Sequence, residues 1–356
     1  MRCAIAGSGL AALATYATLR HAGVAPEEIA VFGTHEDPLD LWRTRASSIR
    51  QRRMRSESDG HLAPASFPGL AVREALRRGS ATPLLRSVSN RYHPSVEDFL
   101  AHGDEVRVRS GWERSFVQRR ITRVRAVGGG FELDGEGPFR HVLLATGHPG
   151  LAKPDEHPNA VHAYEPHEYA SKVAIVGAGM AAATEWLNAL DAGAEVISVR
   201  RREPVRRPLN VPRPLFSKRG LATFHSAAAE RRAATLRELS TPSYPPGRAW
   251  DEPLRDERFR VQSTTSGAEQ VIVATGFKQG FWHDPLLADL VAEHDLPAQG
   301  RWIVLDPDST VPSLTDDSRT LSIAGVAGQW AFPAADTIAG AKYAARAFRR
   351  RVCRTR

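Results

Sequence analysis

Residues Arg2 to Ala6 form a short apolar run, too brief for a helix and suited to a buried strand. The run passes at once into Gly7-Ser8-Gly9-Leu10-Ala11-Ala12 and then into apolar positions at helical spacing as far as Gly23, a natural helix terminator. Ile29 to Gly33 reads as the next strand. The order strand, G-x-G-x-x-A, helix, strand is what gives this glycine spacing meaning. Gly7 allows the tight turn, Gly9 lets a pyrophosphate approach the backbone, and Ala12 keeps helix and strand close. The phosphates then rest on the helix N-terminus, where unpaired N–H groups point at them.

The same grammar returns 170 residues later: a strand from Lys172 to Val176, Gly177-Ala178-Gly179-Met180-Ala181-Ala182, a helix to about Gly193, and a strand from Ala194 to Val199. Gly177, Gly179 and Ala182 fall on the three positions held before by Gly7, Gly9 and Ala12. One such motif is a loose match, but two in one chain, each between strand and helix, predict two nucleotide sites.

Between the copies, Ile121 to Val127, a Gly128-Gly129-Gly130 turn, Phe131 to Leu133 and His141 to Leu144 alternate in the manner of an antiparallel meander that runs into Ala145-Thr146-Gly147. After the second copy, Phe259 to Gln262 and Gln270 to Val273 repeat the theme and run into Ala274-Thr275-Gly276. Thr146, Gly147, Thr275 and Gly276 are therefore expected where the chain crosses between two dinucleotide units. Gly150 to Tyr169, rich in Pro and His, reads as the first linker. Residues 203–255 form a proline-rich insertion split by a helix from Leu221 to Leu239. A last strand is expected at Leu321 to Gly325 and a closing helix from Asp336 to Val352, with residues 351–356 as a dispensable tail. The expected class is α/β: two Rossmann-like dinucleotide-binding domains, each with an antiparallel meander, the second inserted in the first. Residues 1–165 and 286–356 make up the discontinuous first domain, and 166–285 the second.

With 42% hydrophobic and 25% charged residues over 356 positions, the chain matches a globular average, which excludes collagen-like and wholly disordered classes. No stretch approaches the roughly 18 apolar residues of a membrane span. The start, MRCAIAGSGLAALATYA, mimics a secretory signal, but its glycine spacing assigns it to the first nucleotide motif. Cys3 and Cys353 form no C-x-x-C, so a dithiol redox centre is not expected, and a reducing cytoplasm fits. The histidines show no metal-ligand spacing, and no G-x-S-x-G suggests a hydrolase.

Lys+Arg 48 against Asp+Glu 40 leaves a net charge of +8, nearly all of it arginine, since only Lys153, Lys172, Lys218, Lys278 and Lys342 are lysines. Arginine is spread along the chain and alternates with Asp or Glu, which argues for compositional bias and against a nucleic-acid surface. The exception is the run that begins at Arg200. An acidic residue normally ends the second strand of a dinucleotide unit, where it accepts the ribose hydroxyls. In the second copy that place holds Arg200-Arg201-Arg202, and guanidinium groups would grip the 2′-phosphate that a carboxylate repels. The second copy is therefore read as an NADPH site, with Arg200 and Arg201 as its phosphate ligands. In the first copy the strand ends at Gly33, and the nearest acid, Glu36, comes slightly late. Its place ahead of the meander suits FAD, with an NAD-binding first domain as the competing reading.

This arrangement resembles the flavoproteins with two dinucleotide-binding domains, and among them the NADPH-dependent flavin monooxygenases. Ala145-Thr146-Gly147-His148-Pro149, then His162, then Val173 to Gly179 is similar to the linker of the flavin-containing monooxygenases, although Glu156 and Pro158 stand where their signature has Phe and Gly. Glu269, Val273, Ala274, Thr275, Gly276 and Phe277 form a conservative variant of D-x-x-x-(L/F)-A-T-G-Y, found in the N-hydroxylating enzymes that act on ornithine or lysine amines. Trp42 and Ile49 to Met54 loosely echo the flavin-facing segment of that group.

The resemblance implies hydride transfer from NADPH to FAD, reaction of the reduced flavin with O2, and delivery of one oxygen atom to a small nucleophilic substrate, an amine before others. The cofactor does this chemistry and the protein orients it, so no catalytic base is demanded. The N-terminus of the closing helix, near Asp336, is expected to face the flavin edge where negative charge develops. Gln51, Trp330 and Phe332 are the expected flavin or substrate neighbours, with core packing as the alternative for both aromatics. An NADPH-dependent flavin reductase without oxygen transfer, and a non-catalytic dinucleotide-binding protein, remain open alternatives.

Overall fold

The computed structural model describes residues 1–54, 69–89, 92–207 and 212–354. The chain opens with β1 (Cys3–Ala6), α1 (Leu10–His21), β2 (Ile29–Gly33) and α2 (Asp40–Ser48), followed by α3 (Leu70–Arg78), α4 (Thr82–Val88) and α5 (Val96–Ser110). Next come β3 (Phe116–Gln118), β4 (Val124–Val127), β5 (Gly130–Leu133), β6 (Glu136–Phe139) and β7 (His141–Leu144). The second half starts with β8 (Val161–His162), β9 (Lys172–Val176), α6 (Met180–Asp191), β10 (Glu195–Val199) and β11 (Val205–Arg206). The insertion holds α7 (Lys218–Ser226), α8 (Ala229–Leu239), β12 (Ser243–Tyr244) and α9 (Arg248–Asp251). The chain ends with β13 (Phe259–Gln262), β14 (Gln270–Val273), α10 (Pro285–His294), β15 (Ala298–Gln299), β16 (Trp302–Ile303), β17 (Thr320–Ile323) and α11 (Ile338–Arg354).

Two five-stranded parallel sheets carry the fold, in the orders β17-β7-β1-β2-β3 and β8-β14-β9-β10-β13. The two sheets are laid out alike: each glycine motif follows the central strand, and the strand that enters an A-T-G crossing lies beside it. Strands covered on both faces read as continuous apolar runs, and β1 is buried at every position. Its side chains alternate between two cores. Cys3 and Ile5 pack with Leu13, Tyr16, Phe99 and Phe348 under the helices, and Ala4 and Ala6 pack with Phe131, Leu133 and Phe139 of the antiparallel β4-β5-β6 layer. In the second sheet Val173 and Ile175 likewise face Trp186, while Ala174 faces Ile197 and Val199.

The strand pairing corrects the sequence reading in two places. His141–Leu144 does not close the antiparallel layer; that third strand is Glu136–Phe139, and β7 runs parallel between β1 and β17. Phe259–Gln262 and Gln270–Val273 do not pair with each other at all. They lie on opposite sides of the β9–β10 pair, parallel to β10 and β9 respectively, and form no meander with each other. Two short alternating strands around a glycine-containing turn look the same in sequence whether they form a hairpin or are carried apart by their loop, here residues 263–269. The expected helix from Leu221 to Leu239 is two helices, because Ala227 and Ala228 are extended and the bend lets Phe224 and Leu236 reach the same core. No described helix is long and apolar enough to cross a membrane.

Candidate functional site

Each glycine motif sits where its central strand turns into a helix. Gly9 and Gly179 are the residues before α1 and α6, and neither helix has an acidic side chain in its first turn, which leaves both N-termini receptive to anions. A Cβ on Gly9 would meet nothing within 4 Å, so the space above the α1 terminus is open. Ala12 and Ala182 are fully buried at the helix–sheet contacts.

The two A-T-G crossings run side by side. Leu151 and Phe277 form an antiparallel bridge, the Ala152 N–H donates to the Gly276 carbonyl at 3.0 Å, and the Lys278 N–H donates to Gly150 at 2.9 Å. The Thr275 hydroxyl donates to the Ala152 carbonyl. Gly147 and Gly276 both have positive φ, as the sharp exit from each strand requires. A column of rings joins the crossings: His148 stacks on Phe277 at 4.1 Å between centroids, Phe277 on Tyr164 at 5.1 Å, and Tyr164 on His162 at 5.6 Å. The Arg45 guanidinium lies 4.8 Å from the Phe277 centroid. Burial, with Arg45 nearby, pushes the His148 pKa down to about 4, and burial does the same to His162. Both imidazoles are neutral near pH 7.

A cavity of about 1030 Å³ runs along these crossings. Its walls include Gly147, His148, Gly177, Gly179, Arg200, Arg201, Thr275, Gly276 and Asp336. Arg200 is the telling residue. Its side chain is only 9% exposed, and although one nitrogen reaches Glu203 at 3.2 Å, Nε and Nη1 are buried without a partner. A desolvated guanidinium with free donors calls for an anion. Arg201, by contrast, is 90% exposed and paired with Glu156 at 3.3 Å.

Other expected residues fall elsewhere. Gly7, Gly9, Ala12 and Glu36 do not line this cavity: the first three belong to the β1–α1 turn and the start of α1, and Glu36 is an exposed residue of the loop after β2 whose carbonyl accepts the Trp112 indole N–H at 3.0 Å. Gln51 lines a separate surface depression with Arg43, Arg52 and Asp104, and donates to the Arg53 carbonyl. Trp330 and Phe332 are core residues. Trp330 is 1% exposed beneath Arg232, and Phe332 stacks between Phe216 and Tyr343. Their neighbours Gln329 and Pro333 line the cavity instead. Helix α11 starts at Ile338, two residues beyond Asp336, and Thr337 Oγ1 accepts the Gly340 N–H. Asp336 opens into the cavity, where enclosure raises its pKa against the opposing pull of its own backbone and Gln329. Arg301 and Trp302 also line the cavity, and no sequence signal marks them.

No family model matches the sequence, and no curated protein matches it. Solved structures do. The ornithine N-hydroxylase of Kutzneria sp. 744, determined with reduced FAD, NADP+ and L-ornithine, is 16% identical and superposes over 99% of this chain and 98% of its own with a TM-score of 0.70. The FAD-bound cadaverine monooxygenase of Erwinia amylovora is 11% identical over 98% and 93%, with a TM-score of 0.71. A bacillithiol disulfide reductase of Bacillus cereus is 14% identical over 100% and 99%, with a TM-score of 0.62. At these identities the likeness establishes the fold: this chain has the mixed α/β architecture, with parallel sheets, shared by these N-hydroxylating monooxygenases and the bacillithiol disulfide reductase.

Proposed function

We propose that the chain is an FAD-dependent, NADPH-using monooxygenase that places one oxygen atom from O2 on the nitrogen of a small amine. The observation that carries the reading is Arg200, a buried guanidinium with two unused donors in the same cavity as the Gly177–Gly179 turn. The domain assignment follows: residues 1–165 with 286–356 hold FAD, and 166–285 hold NADPH, with β8 joining the second unit through its pairing with β14.

In this reading Gly7, Gly9 and Ala12 let the FAD pyrophosphate settle on the α1 terminus, and Glu36 reaches the ribose from its exposed loop. Gly177, Gly179 and Ala182 do the same for NADPH at α6, with Arg200 on the 2′-phosphate and Arg201 as a second, solvated contact. Thr146, Gly147, Thr275 and Gly276 shape the passage between the two cofactors, and the region just ahead of α11, with Asp336, faces the flavin edge. Bound flavin supplies hydride acceptance and oxygen activation; the chain binds, orients and excludes water. The neutral His148–Phe277–Tyr164 column forms an uncharged wall for that purpose. The structures of similar fold that carry FAD and NADP+ or act on cadaverine support this reading.

A flavoprotein reductase is the second reading, favoured by the likeness to the bacillithiol disulfide reductase. One experiment separates them. NADPH oxidation by the purified protein is measured with amines, sulfides and ketones in air enriched in 18O2, and again without oxygen in the presence of an artificial acceptor. One labelled oxygen in an amine product, and no anaerobic turnover, is the expected result. Sustained anaerobic turnover with no labelled product overturns the monooxygenase reading.

A further inference from the structure

Arg301 lies on the cavity wall, just ahead of β16. Its guanidinium lies 4.6 Å from the centroid of the Trp302 ring. Among the described residues no carboxylate pairs with it, and Arg237 is the charged side chain that acts on it, repulsively; burial and that repulsion lower its pKa. Other half-buried arginines divide: Arg73 binds Glu105 through two nitrogens and Arg351 binds Asp308, whereas Arg45 and Arg232, like Arg301, lie over aromatic rings with no acid paired among the described residues. Of these three, Arg301 is the one that lines the cavity.

The wall continues as a connected series. The Trp302 indole N–H donates to Gln329 Oε1 at 3.1 Å, and Gln329 in turn neighbours the Asp336 carboxyl and favours its ionised form. Cation, indole, amide and carboxyl thus follow one another along one side of the cavity. The indole and amide link the two ends of the series, a guanidinium and a carboxyl, and both ends line the cavity.

We infer that Arg301 is a specificity-determining residue that anchors an anionic group of the substrate, so that the preferred amine carries a carboxylate and a simple diamine is a poor substrate. The inference rests on the monooxygenase reading for what happens to the amine, but not for what Arg301 binds. In the proposed function the coenzyme phosphates take the α6 N-terminus and Arg200, which lie on elements other than that of Arg301. An arginine offers a planar pair of donors that matches a carboxylate, and a desolvated one holds it more strongly than an exposed one.

The test compares L-ornithine and L-lysine with 1,4-diaminobutane and 1,5-diaminopentane, which keep both amines and lack only the carboxylate. Binding to the flavin-loaded protein is measured by calorimetric titration, and hydroxylated product is measured separately. The wild-type protein should bind at least one amino acid more tightly than its matched diamine. Arg301→Met, which keeps the stem on Trp302, should weaken amino-acid binding about 10- to 150-fold and leave diamine binding and the NADPH Kd unchanged. Arg301→Lys should recover part of the loss. Equal affinity for both kinds of amine in the wild type, binding of neither amino acid, or equal losses for amino acid and diamine in Arg301→Met overturns the inference. A weakened NADPH Kd in that variant also overturns it, by assigning Arg301 to the coenzyme. Because binding is read apart from product, failure of the oxygenase reading would appear as selective binding without hydroxylation.

Discussion

A Cβ placed on Gly7 would lie 2.1 Å from the carbonyl oxygen of Ala145, so the first turn of the chain and the first A-T-G crossing touch through backbone alone. The second unit repeats the contact, with a Cβ on Gly177 falling 2.7 Å from the Ala274 oxygen. Both glycines have positive φ, 121° and 145°, which adds strain to the clash for any other residue. Each glycine turn is thereby locked to the point where the chain leaves its sheet.

The two glycines of the first motif should therefore fail differently. Gly7→Ala meets the Ala145 backbone and a forbidden φ, and should destabilise the fold by about 2 to 4 kcal/mol. Gly9 has φ −90° and open space where its Cβ would go, so Gly9→Val should fold normally and lose FAD, because only the ligand is obstructed. Thermal melts and FAD titrations of both variants check this. A Gly9→Val protein that saturates with FAD at wild-type affinity removes the first motif from the flavin site.

Arg200 and Arg201 are adjacent in sequence but differ in burial, and that difference sets the coenzyme prediction. Arg200→Ala should raise the KM for NADPH about 10- to 150-fold, the worth of a charge-assisted hydrogen bond of roughly 1.5 to 3 kcal/mol, and leave NADH use nearly unchanged. Arg201, exposed and paired with Glu156, should give a severalfold effect at most. Steady-state oxidation of both coenzymes by each variant is the measurement. Equal losses with NADPH and NADH would make Arg200 a structural residue.

Stability should fall as pH drops from 6.5 to 4. His141, His148 and His162 are each pushed down to about 4, first of all by burial, so the folded chain stays unprotonated where the unfolded chain takes up protons. A depressed histidine pKa gives stability that is present above the unfolded value and declines as pH falls towards the folded one. His225, also lowered by burial, adds to this, while His167, which burial would lower but its bond to Glu185 raises, and Asp336, raised by enclosure, oppose it, so four groups act against two. Melting temperatures taken between pH 7 and 4 should decline, and His141→Gln should flatten the slope. A melting temperature that is constant over that range would contradict the burial of these rings.

The repeated motif made both glycine turns, both crossings and Arg200 legible, because each depends on local geometry that only certain residues allow. Strand partners were not legible. The loop at 263–269 gives no local sign that it carries β14 past β10 and β9, since that outcome is decided by which strand edges are free. The aromatics mark the Gln329–Pro333 turn in the sequence, and of the two readings open for them the structure has core packing: Trp330 and Phe332 are buried, while Gln329 and Pro333 line the cavity. Arg301 was invisible for a further reason. An unpaired cation is defined by what is absent around it in three dimensions, and sequence alternation of arginine with acids suggests pairing everywhere.

The C-terminus supplies the last prediction, and it reverses the expectation that residues 351–356 can be trimmed. Val352 is fully buried under α1 with Phe348, the Arg2 guanidinium donates to its carbonyl, and Arg351 pairs with Asp308 at 2.7 Å. The final turn of α11 thus ties the first strand, the last loop and the helical layer together. Loss of a buried valine side chain costs about 1.5 to 3 kcal/mol, and truncation also removes the partners of Arg2 and Asp308. Deleting residues 351–356 should therefore lower the melting temperature by several degrees and more than Val352→Ala does. Arg351→Ala alone should have a smaller effect, because the Arg351–Asp308 pair is partly solvated. A truncated protein that melts with the wild type would show that α11 is held by its earlier turns alone, and would leave the Arg2–Val352 contact without energetic weight.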